Sequence, residues 1–82
     1  MHVVDQVIQR FPDNVVVVRR LFLSDAHFRA VCEDYALCIA SLRRFEARPD
    51  AGLRPEVDDF RRIRVELELE LRNHLIVAEK RK

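Results

Sequence analysis

One glycine in 82 residues, set among 35% charged and 49% hydrophobic residues, leaves little material for tight turns and points to long helices with solvated outer faces. Cysteine is almost as scarce. Cys32 and Cys38 both fall in a segment that reads as one helix, where six residues rise roughly 9 Å, beyond the reach of a disulfide. Intramolecular cross-linking is therefore excluded. Free thiols fit a reducing cytoplasm, the expected location. The N-terminus agrees, since it has no basic leader and Asp5, Gln6, Gln9 and Arg10 interrupt its apolar residues. Long apolar runs are also missing. The longest, Val15–Val18, stops at Arg19 and Arg20, far short of the ~18 residues of a membrane span. Neither charge sign dominates: 15 basic residues against 14 acidic ones give a formal net charge of +1, no electrostatic footprint for nucleic acid or an anionic membrane. There is no glycine-rich loop, no paired-cysteine zinc spacing and no His-Glu-x-x-His, so no catalysis and no cofactor are expected.

What the chain does contain is helical periodicity. In His2–Phe11, Val3, Val4, Val7, Ile8 and Phe11 share one face, and Pro12 ends the segment. Residues 13–23 carry four consecutive valines, which favour a strand by propensity. Asp13 as a possible cap and the Val15, Val18, Phe22 spacing favour a short helix. The helix is preferred because a lone strand would have no partner. Ser24 is then expected to cap the next helix, with Asp25 at its first position and Leu23 stapled onto Phe28. From Phe28 the residues Val31, Tyr35, Cys38, Leu42 and Phe45 follow at steps of 3, 4, 3, 4 and 3, a coiled-coil-like seam that Cys32 and Ile39 widen.

Pro49, Gly52 and Pro55 mark the loop, residues 48–54, between a first arm, residues 25–47, and a second, residues 55–79. The second arm opens with Pro55, Glu56, Asp58 and Asp59 and is followed by Lys80, Arg81 and Lys82, the charges each helix end prefers. Its stretch RVELELELR, Arg64–Arg72, alternates like a strand. With no turn signal and with Glu68 four residues before Arg72, it reads as helix. Wound as a helix, it has two apolar faces. Phe60, Ile63, Leu67, Leu71 and Leu75 form the inner stripe, while Val65, Leu69 and Ile76 fall nearly opposite. The expected fold is thus all-α: an antiparallel helical hairpin with two short N-terminal helices, a single domain that completes a helical bundle on dimerisation. A chain this short buries too little to be stable by a wide margin without help.

Several segments resemble the YdcH-like small bacterial proteins, helical hairpins of unassigned biochemical role: Phe11-Pro12, SDAHF at Ser24–Phe28, LRRFEA at Leu42–Ala47, and FRRIRVELELEL at Phe60–Leu71. The likeness covers Phe11 to Val77 and implies a hairpin. It departs where the family carries a second histidine in the first arm. Here stands Tyr35, followed by Ala36, Leu37 and Cys38, and the N-terminus is longer with a more apolar valine run.

Two further constellations carry possible chemistry. An antiparallel pairing brings His27 near His74, with Glu33 and Glu70 within a turn or two, and two imidazoles could begin a zinc or copper site. The competing reading has His27 on local backbone and His74 as a half-exposed edge residue, and no metal is expected. Arg43, Arg44, Arg48, Arg54, Arg61, Arg62 and Arg64 gather toward the loop end, but Phe45 and Phe60, the aromatics there, belong to the seam. The expected function is a non-catalytic protein–protein interaction or self-association module, a homodimer using Val65, Leu69 and Ile76, with another protein as a further possible partner. A small nucleic-acid-associated protein with an arginine-rich tip is the alternative.

Overall fold

The computed structural model describes residues 3–81; His2 and Lys82, which fall in the expected first helix and the expected basic end, lie outside them. All the regular structure among the described residues is helical. α1 (Val3–Arg10) leads through a 3-10 turn, Pro12–Asn14, into α2 (Val15–Ser24). The long α3 (Ala26–Glu46) and α4 (Pro55–Lys80) follow, joined through a second 3-10 turn at Ala51–Leu53.

Local chemistry sets the breaks. Phe11, directly before Pro12, has φ −126° and ψ 65°, outside the helical region that a following proline disfavours. The valine run is helical because tertiary burial outweighs strand propensity: Val18 is fully buried, with Val17, Leu21 and Phe22 packed partly against the same core. The α2–α3 junction corrects the sequence reading. Ser24 remains the last residue of α2, its hydroxyl donating to the Arg20 carbonyl at 2.8 Å. Asp25 is the residue that leaves helical geometry, φ −122° and ψ 106°, and its carboxylate accepts from the Phe28 amide at 3.0 Å. Adjacent cap-forming residues compete, and the one with extended backbone faces the free amides. The expected staple is also absent: Leu23 is 80% exposed. Instead the Arg29 guanidinium of α3 donates back to the Phe22 carbonyl at 2.9 Å. Asp13 lies in the 3-10 turn, and α2 starts without a side-chain cap.

Between α3 and α4, partners ascend in one helix as they descend in the other. His27 meets His74 and Glu70, Tyr35 meets Glu68, and the Cys38 thiol donates to the Phe60 carbonyl at 3.3 Å. Near the connection Phe45 stacks on Phe60, centroids 5.5 Å apart, and Arg61 pairs with Glu46. α1 and α2 pack chiefly on α3 and on the Leu71–Leu75 part of α4. Asn14 donates to Glu79 at 2.7 Å, fastening the turn before α2 to the end of α4.

The core is uneven along the 48 Å long axis. At the open end Val4, Val7, Phe11, Val18, Phe28, Val31, Cys32, Tyr35, Leu71 and Leu75 form one buried cluster. Toward the connection only Cys38, Leu42 and Val57 are buried together, flanked by Phe45, Phe60 and Leu67. Ile63, expected in the inner stripe, is 41% exposed, whereas Val57, absent from that stripe, is 3% exposed. Only two helices meet at this level, and a residue on the edge of the stripe finds no third helix to cover it.

Candidate functional site

α4 carries the apolar row singled out by periodicity. Its Leu71 and Leu75 point into the core, which turns Val65, Leu69 and Ile76 outward, at 49%, 54% and 42% exposure. The short helices leave this row uncovered because they occupy the opposite side, over Tyr35, Leu71 and Leu75. A second apolar surface emerges that periodicity missed. Leu37 of α3, 67% exposed, and Ile63 of α4 border an open groove floored by Phe60 and Leu67 and rimmed by Asp34 and Ser41. Leu37 is off the seam, and that was its only signal.

Three of the seven arginines gathered toward the connection are ion-paired. Arg54 pairs with Asp50 at 2.9 Å, Arg61 with Glu46 at 2.8 Å and Arg62 with Asp59 at 2.8 Å, and Arg48 lies over the Phe45 ring. Arg54, Arg61 and Arg62 thus present ion pairs where the nucleic-acid alternative needs free cations, while Arg43, Arg44, Arg48 and Arg64 carry no ion pair among the described residues. Phe45 and Phe60 stack on each other rather than offering open faces.

Neither cysteine offers a nucleophile. Both thiols are free and buried. Burial pushes Cys32 up to about 12, with Glu33 adding in the same direction, and burial likewise raises Cys38. Such thiols carry negligible thiolate at neutral pH. Tyr35 is raised too, by burial and then by its hydrogen bond to Glu68.

Polar side chains converge at the open end. His27 stands in the first turn of α3 and Glu70 and His74 one turn apart on α4. The His27 Nε2 lies 3.2 Å from a Glu70 oxygen, and the imidazole centroids are 5.1 Å apart. The His74 ring meets Phe28 edge-on at 5.6 Å. The reading of His27 as a local-backbone contact is therefore corrected: it reaches across to α4. Glu70 joins the two histidines, and Glu33 does not. The Asp25 carboxylate borders the concavity that Glu70 and His74 line and is held below its usual range, first by the Phe28 amide, then by the His27 amide and in smaller part by the two imidazoles.

No helix among the described residues is long and apolar enough to cross a membrane. Comparison with family models, with curated proteins and with solved structures finds no match to this chain, so the YdcH-like resemblance rests on the residues quoted for it.

Proposed function

We propose that this chain is a non-catalytic helical module of the cytoplasm, YdcH-like in kind. In this reading α3 and α4 act as a coiled-coil-like antiparallel hairpin that self-associates as a dimer and thereby completes a helical bundle. The observation that carries the reading is the row Val65, Leu69 and Ile76, aligned on one side of α4 and roughly half exposed while the chain's own short helices cover the other side. A repeated row of aliphatics on one long helix suits the same row of a second copy across a two-fold axis, because an isologous contact needs only one self-complementary patch. The small size of the domain argues in the same direction, since association supplies burial that a single chain lacks.

The test is sedimentation equilibrium of the parent and of Leu69→Glu. Under this proposal the parent sediments at twice its chain mass and the variant, which places a charge in the interface, shifts to monomer while staying helical. A Leu37→Glu variant serves as the comparison. If it dissociates the dimer and Leu69→Glu does not, the groove beside Ile63 replaces the α4 row as the interface. A parent that remains monomeric at high concentration defeats the proposal.

A further inference from the structure

The histidine cluster at the open end has a different character from the apolar surfaces and is independent of self-association. Among the described residues, His27, Glu70 and His74 are the group whose ligating atoms all lie within 4.8 Å of one another. Glu70 and His74 are spaced four apart on α4, so their side chains rise from one face a single turn apart. His27 projects from the first turn of α3 toward both.

In a tetrahedral zinc site with bonds of about 2.0 to 2.1 Å, neighbouring ligand atoms stand about 3.3 Å apart. The His27 nitrogen and the Glu70 oxygen are already at 3.2 Å. The remaining closure falls to His74, by rotation about its own side-chain bonds. The side chains of His27 and Glu70 are 67% and 45% exposed, so they too adjust without disturbing the core. Two imidazoles and one carboxylate are the donor set of three-ligand zinc sites that keep a fourth position open, and nitrogen donors favour zinc over calcium or magnesium. Asp25 adds a second carboxylate to the concavity that Glu70 and His74 line; Arg81 lines that concavity too and Arg20 the adjoining hollow, so the two guanidiniums partly offset it.

We propose that His27, Glu70 and His74 bind zinc(II), one ion per chain, with the fourth position open to solvent or to a partner's donor. Such an ion clips the first turn of α3 to the C-terminal half of α4.

Calorimetric titration of zinc chloride into the full chain, stripped beforehand with chelator, tests this directly. The expected result is one ion per chain. His27→Ala and Glu70→Gln should each weaken binding by at least about tenfold, since even outer partners of metal ligands are worth roughly 10- to 100-fold. His74 also packs on Phe28, so His74→Ala removes a core contact together with a ligand; the two exposed positions keep the test decisive. Cobalt(II) in place of zinc should give the visible bands of a tetrahedral ion in the parent and lose them in His27→Ala. Absence of binding at millimolar zinc, parent-like affinity in both exposed variants, or a stoichiometry of one ion per two chains would each overturn the proposal.

Discussion

The Tyr35 hydroxyl of α3 donates to the Glu68 carboxylate of α4 across 2.8 Å, with the tyrosine only 3% exposed. The same carboxylate oxygen pairs with the Arg10 guanidinium of α1 at 3.1 Å. A single side chain from the alternating stretch therefore joins three helices, and the expected pairing of Glu68 with Arg72 gives way to it. Replacing Tyr35 by Phe should cost about 1.5 to 3 kcal/mol, the range for a hydrogen bond to a charged group. In a Glu68→Gln background the same replacement should cost clearly less. Urea unfolding of the four-variant cycle measures the difference, and a tyrosine replacement that costs the same in both backgrounds would separate the two residues.

Leu42 and Ile63 belong to apolar stripes that periodicity treats alike, but they differ in burial, 2% against 41% exposed. Leu42→Ala should destabilise the fold by about 2 to 5 kcal/mol, a large share of the stability of so small a domain. Ile63→Ala should cost under about 1 kcal/mol in the monomer, because less area leaves water. Thermal melts of the two variants at low protein concentration check the ordering.

Alkaline pH should weaken the fold through the buried thiol and phenol. Cys32 rises from 9.0 to about 12 on folding and Tyr35 is raised from 10.0. A raised value means that the folded state keeps its proton where the unfolded chain has lost it. Stability is thus complete below about pH 9 and falls as pH climbs through the folded values, by about 1.4 kcal/mol per unit for each group within its window. Urea midpoints measured from pH 8 to pH 11 should decline, and Cys32→Ala should flatten the part of the slope that begins near pH 9.

Thiol reagents give a second reading of the same burial. Neither Cys32 nor Cys38 should react quickly in the native protein at pH 8, and both should react on unfolding in urea. Fast native labelling of Cys32 would mean that α1 and α2 leave the core more often than their packing allows.

At the α2–α3 junction, Asp25→Ala should lower the melting temperature, while Ser24→Ala should leave it near that of the parent. Only the Asp25 side chain accepts from an amide of the following helix. The reverse order would restore Ser24 as the cap.

The all-helical class was legible because the signals for it are local. Pro12 and Pro55 forbid particular backbone hydrogen bonds, and the steps from Phe28 to Leu42 specify one buried face whatever covers it. Other features depended on information that no window of sequence holds. Periodicity says which side of a helix faces inward but not how far its cover extends, so Ile63 and Val57 exchanged roles. Ser24 and Asp25 are adjacent and both able to cap, and backbone geometry alone chose between them. Glu68 found Tyr35, 33 positions away, in preference to its neighbour one turn on. The meeting of His27 with His74 was readable from the opposed numbering of two arms, whereas the selection of Glu70 over Glu33 required the actual rotation of each helix.

The lopsided distribution of buried residues also bears on motion. Opening free energies within one domain follow the density of local packing. The base, where four helices share a core, should hold its amides against exchange up to global unfolding, while the distal arms, pinned by Cys38, Leu42 and Val57, should open first. On this packing the expected behaviour is that of a firm root bearing a compliant fork, so that a partner gripping the fork would tighten the part with the most freedom left to lose.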